Sequence, residues 1–416
     1  MIYLATIAVF ILFFGLVSGR LEKTIITAPM VFTLFGMALS PFLHGRVNVD
    51  AEVIRTLAEL TLVLVLFIDA SRIDLRLLRK DHNLPTRMLA IGLPLTIVAG
   101  VVAAKLILGA SLGWFAAAVL AAILAPTDAA LGQAVVTNLR IPVRIRQTLN
   151  VESGINDGLA LPAVVILVSL AGGEGSESLL YWVRFIGLQI FVGAGIGVLV
   201  GGVGGLLVSI ATRTSWMNQS FQRLASLALA LSAFALAELL LGNGFIAAFC
   251  AGLAIGNLHR PICSCLYEFG EAEGQLLVLF TFTLFGAVFV LPALGAATIP
   301  VLIFAGVSLT LVRMIPVSLS LLGTHLMADT HLFLGWFGPR GIASILFGLL
   351  ILGETSFAGI DLVFTTIIVT VLLSIFLHGL SAVPAANAYG KVAETMKDET
   401  DMPEMQTVSE MPTRRG

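Results

Sequence analysis

Charge is what this sequence has least of: of 416 residues only 12% are Asp, Glu, Lys or Arg, while 58% are hydrophobic. A soluble domain is about a quarter charged, so the shortage excludes a soluble globular protein. A mean hydropathy of +1.02 points to an integral membrane protein. The net charge of −2 distinguishes no partner, because in a membrane protein the placement of charge matters more than its sum. Cysteine is almost absent. Cys250, Cys263 and Cys265 are odd in number and at no metal-ligand spacing, which excludes a disulfide framework and a zinc site. Cys263-Ser264-Cys265 is also too short for a redox Cys-x-x-Cys, and we read the three as small apolar fillers. The N-terminal run Met1–Gly19 lacks a basic segment ahead of it and an A-x-A cleavage site; its first positive charges, Arg20 and Lys23, come after it. The expectation is a retained helix with its N-terminus outside, not a signal peptide.

What is present is a series of long apolar runs. Thirteen candidates lie at about 1–19, 26–43, 55–70, 86–108, 112–137, 149–171, 183–211, 224–241, 243–257, 275–293, 298–322, 330–352 and 360–383. The break between the eighth and ninth rests on Gly242-Asn243-Gly244 alone. One set of alternate loops holds Arg20 and Lys23; Arg72, Arg76, Arg79, Lys80 and Arg87; Arg140, Arg144 and Arg146; Arg213 and Arg223; and Arg260. The opposite set holds little beyond Arg46, Lys105 and Arg184. By the positive-inside rule the first set is cytoplasmic, and an odd number of spans puts the C-terminus, with Lys391 and Lys397, on that side as well. The expected location is the cell (inner or plasma) membrane. The Gly172–Ser178 loop reads as a flexible external connection, and the polar tail 384–416 as disordered.

An odd count suggests six helices, a connector and six more, the second half inverted relative to the first. The fifth span is interrupted at Ala125-Pro126-Thr127-Asp128 and the twelfth at Phe337-Gly338-Pro339-Arg340-Gly341. Each is the fifth helix of its half. Paired breaks of this kind mark a midplane ion site.

The charges that do lie in apolar runs are the most informative feature. Glu152, Asp157, Asp128, Asp69 and Arg340 would together cost about 12–17 kcal/mol if each faced lipid alone, so they must face one another or a water-filled cavity. On a helix Ser153 and Asp157 share one face, and Glu152 and Asn156 an adjacent one. Glu152 and Asp157 stand about 140° apart. Arg340 needs an anionic partner in the membrane, and Glu152 is the natural candidate. Asp157, beside the Ser153 hydroxyl, is then left as the carboxylate exposed to solute. The oxygens of Asp157, Ser153, Thr127 and Asp128 form a hard set suited to Na⁺ or Li⁺ rather than a transition metal. Burial raises a carboxylate pKa, so protons and cations can compete for it. Asn156 is suited to bridging the broken backbone.

These residues match a family. The run Asn150-Val151-Glu152-Ser153-Gly154-Ile155-Asn156-Asp157-Gly158 resembles the Glu-Ser-x-x-Asn-Asp element of the monovalent cation:proton antiporter-1 family, the prokaryotic Na⁺/H⁺ antiporters of the NhaP type. Pro126-Thr127-Asp128 resembles its fifth-helix Thr-Asp element, and Gly338-Pro339-Arg340-Gly341 its late Gly-x-Arg-Gly element. Glu238, the run Ala251–Asn257 and Arg313 are similar to further family stretches, and the resemblance covers about residues 1–385.

The resemblance implies an all-α membrane fold with a dimerisation and connector part (about 1–19, 26–43, 55–70 and 183–293) and a mobile ion-translocating core (about 86–171 and 298–383). Asp157 would be the ion- and proton-binding carboxylate, with Asp128, Thr127 and Ser153 in the site and Glu152–Arg340 a structural pair. The Asn156-Asp157 pair implies electroneutral one-for-one exchange by a homodimer that needs no cofactor. Family members often carry Glu near the end of the third span; the matching acid here is Asp69, one methylene shorter.

Other signals are weaker. The tract Gly193-Ala194-Gly195-Ile196-Gly197, followed by Gly201, Gly202, Gly204 and Gly205, lies in an apolar helix with no strand before it. It reads as close helix packing rather than a nucleotide loop. Glu238, near a span end, is expected to snorkel or pair. Asn218-Gln219-Ser220 fits a glycosylation acceptor but falls in a loop assigned to the cytoplasm. The basic loops are topological, and nothing points to nucleic acid. Two other classes compete: an intramembrane aspartyl protease, which needs Tyr-Asp and Gly-x-Gly-Asp elements absent here, and a cation channel, which needs a repeated filter element.

Overall fold

The computed structural model describes residues 2–21, 24–43, 51–76, 82–109, 112–172, 179–259, 274–354, 357–396 and 402–406. The described residues are helical, with no strand among them. In chain order the helices are α1 (Ile2–Leu21), α2 (Ala28–Leu43), α3 (Ala51–Arg72), α4 (Asn83–Ile107), α5 (Trp114–Ile123), α6 (Ala129–Val136) and α7 (Val143–Ala171). Next comes α8, which begins as Leu179–Gly187 and continues without a break as Leu188–Arg213. Then follow α9 (Gln219–Leu239), α10 (Gly244–Leu258), α11 (Gly274–Ala296), α12 (Ile299–Ser320), α13 (Ala328–Trp336), α14 (Ile342–Glu354) and α15 (Ile360–Met396).

The pairs α5/α6 and α13/α14 each occupy one apolar run, so these helices make up the thirteen units expected from hydropathy. Among the described residues seven helices are long and apolar enough to cross a membrane, and five shorter ones are apolar. α3 carries five charged residues, Glu52, Arg55, Glu59, Asp69 and Arg72. Large apolar side chains face outward: Leu16 is 73% exposed, Leu106 79%, Phe191 79% and Ile299 73%. Such a surface is stable against lipid rather than water.

The weakest predicted break, between α9 and α10, is built by two side chains. Asn243 caps α10 by accepting from the Ile246 N–H at 3.0 Å, and Glu238 Oε1 accepts from the Gly244 N–H at 2.8 Å. Both satisfy amide donors that a helix N-terminus leaves open, so Glu238 is a cap rather than a snorkelling acid. Asn218, in the pattern that resembled a glycosylation acceptor, caps α9 by accepting from the Phe221 N–H at 3.0 Å.

The glycine tract of α8 faces α10. A Cβ at Gly197 would overlap the Ala247 carbonyl oxygen, and one at Gly201 the Ala251 carbonyl oxygen. The two backbones therefore touch along a small-residue stripe. α10 in turn packs on α3 and α9, and α2 on α11. A second set, α4, α7, α12 and α15, packs around the two interrupted units α5/α6 and α13/α14.

The chain after Pro384 corrects one expectation. α15 runs through Pro384 to Met396, and the segment 402–406 is docked rather than disordered. The Glu404 carboxylate, wholly buried, accepts from the Met327 N–H at 2.7 Å and the Thr330 hydroxyl at 3.0 Å at the start of α13. Arg144 at the start of α7 donates to the Pro403 carbonyl. Tyr389 and Ala393 are buried, which is why a polar composition is nevertheless folded. The loop 173–178, together with Lys23, Arg46, Arg79, Lys80, Arg260, Cys263, Cys265, Lys397 and the tail 407–416, lies outside the described residues.

Candidate ion-binding site

Pro126 and Pro339 each remove an amide donor and disfavour helix at the residue before them. α5 therefore stops at Ile123 and α13 at Trp336, and each chain resumes as a helix at Ala129 and Ile342. The two breaks lie against each other. The Asp128 N–H donates to the Pro339 carbonyl at 2.8 Å, and the Ser344 hydroxyl donates to the Ile123 carbonyl at 2.9 Å.

Each break presents one charge to the other's open helix end. The Arg340 guanidinium, through Nη1, donates to the carbonyls of Ala125 at 3.0 Å and Pro126 at 3.2 Å, just past the C-terminal, negative end of α5. Asp128 Oδ2 accepts from the Ile342 N–H at 2.7 Å, at the N-terminal, positive end of α14. Charges so placed complement the helix dipoles, an effect of up to ~2 kcal/mol each when partly buried. They also satisfy backbone groups that would cost several kcal/mol unpaired in hydrocarbon. Gly341 is required by this approach, since any Cβ there would overlap Asp128 Oδ2.

α7 crosses beside the first break. The Thr127 and Ser153 hydroxyls are 3.0 Å apart, and Asn156 Nδ2 donates to Thr127 Oγ1 at 2.6 Å. Asp157 stands one turn beyond Ser153 on α7, 9% exposed. Thr127, Ser153 and Asn156 are therefore one hydrogen-bonded group joining α7 to the break, with Asp157 beside it. On the adjacent face, Glu152 meets Arg313 of α12 through two charge-assisted bonds, Nη1 to Oε1 at 2.6 Å and Nη2 to Oε2 at 2.8 Å, both residues 1% exposed.

Residues 7–388 match the family model described as sodium/hydrogen exchanger, transmembrane. The chain belongs to the sodium/hydrogen exchanger family. It is 30% identical over 380 residues to the K(+)/H(+) antiporter NhaP of Alkalimonas amylolytica, covering 89% of this chain and 63% of that protein. With the Na(+)/H(+) antiporter NhaS2 of Synechocystis sp. it shares 28% identity over 336 residues, 77% of this chain and 59% of the relative. The chain thus spans about three-fifths of the length of these curated relatives. Its fold matches that of the sodium proton antiporter MjNhaP1 from Methanocaldococcus jannaschii, with a TM-score of 0.78 at 21% identity over 93% of this chain and 98% of the other. The family is one of transporters, not enzymes, and this exchanger-family chain is a multi-pass membrane protein.

One expected pairing is overturned. Glu152 does not pair with Arg340; it pairs with Arg313. The reason is that two backbone carbonyls of the opposite break take the Arg340 guanidinium, while Arg313 reaches Glu152 directly. The signal for Arg313 was available, since it is a cation inside the apolar run 298–322 and needs an anion as much as Arg340 does. Asp128 has Oδ2 engaged by α14, so its first task here is capping. Asn156 does bridge α7 to the break, through the Thr127 hydroxyl rather than the backbone. Asp69 is half-buried on α3, one turn before Ile73, whose side chain lies against Gly154 of α7. Ser374, which accepts from the Arg340 N–H at 2.6 Å, was not anticipated; a lone serine in an apolar helix leaves no pattern to read.

Proposed function

We propose that this chain is a secondary transporter that exchanges a monovalent cation, Na⁺ or Li⁺, for a proton, the two competing for Asp157. The observation that carries this reading is the charge inventory around the crossing. Glu152, Asp128 and Asp157 bring three carboxylates, and Arg313 and Arg340 two guanidiniums, which leaves one negative charge. Glu152 is answered by Arg313 and Asp128 by the α14 amide end. A single bound H⁺ or monovalent cation makes the cluster neutral, and only a neutral cluster crosses the low-dielectric core cheaply. The Asp157 carboxylate with the hydroxyls of Ser153 and Thr127 offers hard oxygen ligands for the cation. In this reading Asp69 is an outlying acid on the neighbouring helix, near the path to the site.

One charge in each direction makes the exchange electroneutral. The units around the crossing, α4–α7 and α12–α15, would be the moving core, with α1–α3 and α8–α11 the scaffold and the face for a second copy. The distribution of Lys and Arg supports a cell-membrane location with the N-terminus outside and the C-terminus in the cytoplasm. K⁺ is the second reading, favoured by the name of the 30%-identical relative, a K(+)/H(+) antiporter. The test is a proteoliposome assay with an imposed pH gradient in which Na⁺, Li⁺ and K⁺ are titrated in turn. Saturable proton flux driven by one of them supports exchange, and its absence with all three refutes it.

A further inference from the structure

His378 is wholly buried on α15, behind the second break and away from Asp157's helix. Its Nε2 lies 3.0 Å from the Trp336 carbonyl oxygen, at the last residue of α13. Its Nδ1 lies 3.1 Å from the Ser374 hydroxyl, one turn earlier on the same helix. That hydroxyl also receives the Arg340 N–H at 2.6 Å.

The direction of each bond depends on which ring nitrogen carries the hydrogen. A neutral imidazole has one N–H. A carbonyl oxygen, which can only accept, faces each ring nitrogen, Trp336 at Nε2 and Ser374 at Nδ1. The hydrogen on Nε2 is the assignment in which the Trp336 carbonyl and the Ser374 hydroxyl both bond the ring. The Ser374 hydroxyl accepts from the Arg340 amide and donates its own hydrogen to Nδ1. In this tautomer the Ser374 carbonyl, also 3.1 Å from Nδ1, makes no bond to the ring. One chain of donors therefore runs from the Arg340 amide through Ser374 and His378 to the Trp336 carbonyl. It fastens α15 to both sides of the break that holds Arg340. The indole of Trp336 covers the imidazole, ring centroids 5.0 Å apart, and donates to Ser381 of α15 at 2.9 Å.

We infer that His378, with Ser374, is a positioning residue for transport: it fixes the backbone at Arg340, so that the guanidinium holds the Ala125 and Pro126 carbonyls and thereby sets Thr127 at the cation site. It touches neither cation nor proton. The inference rests on the reading of Thr127, Ser153 and Asp157 as that site. Buried groups that orient a ligand through another residue change affinity or activity by about tenfold to a hundredfold when removed.

The experiment compares Ser374→Ala, His378→Leu, the double variant, His378→Gln and Asp157→Asn in proteoliposomes. The readout is the half-saturating cation concentration of folded, monodisperse protein. Each of the first two is expected to raise that concentration about tenfold or more. The double variant should rise no further than the worse single, because both break one chain. His378→Gln, whose amide can still donate to the Trp336 carbonyl, should fall between wild type and His378→Leu. A buried filler would lower thermal stability and leave the affinity of the folded fraction unchanged, so unchanged half-saturation in both singles, or additive rises in the double, overturns the proposal. Should His378→Leu fail to fold, His378→Gln and Ser374→Ala decide the same question. Asp157→Asn separates the two levels. If it is inactive while the Ser374 and His378 variants bind like wild type, only the positioning role falls; if it transports normally, the site reading falls and the inference with it.

Discussion

Arg313 and Glu152 form a two-pronged ion pair across α12 and α7, both nitrogen–oxygen distances at or below 2.8 Å and both side chains sealed from the surface. Its consequence is that neither residue is free to exchange ions. Glu152, the first acid of the Glu152–Asp157 run, is spent on holding two helices together, and in the proposed function Asp157 is the acid that serves transport.

Removing one partner of such a pair strands a buried charge. We predict that Arg313→Ala destabilises the protein by about 3–5 kcal/mol, read as a lower melting temperature in detergent. Adding Glu152→Gln should recover part of the loss, and a double variant that melts no higher than Arg313→Ala would show that the pair is not the cause.

Arg340 should behave differently because its partners are carbonyls. Arg340→Ala is expected to cost about 1–3 kcal/mol for each carbonyl left unpaired and to impair transport. Glu152→Gln should give no rescue in this background. Rescue equal to that of Arg313→Ala would mean that Glu152 answers both arginines.

At Gly341 a methyl group has no room. Gly341→Ala must push the Asp128 carboxylate off the Ile342 amide, so we expect about 1–3 kcal/mol of overpacking cost together with loss of exchange. Wild-type exchange by this variant would show that the two breaks do not need this approach.

Thr127→Val keeps the shape and deletes the hydroxyl shared by Ser153 and Asn156. Leaving those groups without it costs about 1–3 kcal/mol, which predicts a half-saturating cation concentration raised about tenfold with membrane insertion unchanged. The same affinity in Thr127→Val and wild type would remove Thr127 from the site.

Much of this arrangement is legible in the residue order. The breaks at Pro126 and Pro339 follow from proline chemistry, and the α8 stripe from its four-residue glycine spacing. The partner of Glu152 is not legible there. Helical periodicity says which face a residue is on but not which of two distant arginines will reach it, and Arg313 sits in an apolar run with no adjacent Gly or Pro to draw notice. The segment after Pro384 escapes a sequence reading for a related reason. Its polar composition is that of a solvated tail, yet Tyr389, Ala393 and Glu404 bury themselves against α13 and its neighbours, a tertiary effect without periodicity.

The central claim is that Asp157 is the carboxylate for which proton and cation compete. The most direct test is cation-driven proton flux by purified Asp157→Asn in proteoliposomes, beside wild type at equal protein density. The asparagine is nearly isosteric and should fold and insert normally, but it holds neither a titrating proton nor a compensating charge. The account predicts flux no greater than that of empty liposomes with Na⁺, Li⁺ or K⁺. Saturable cation-dependent flux above that level would contradict it.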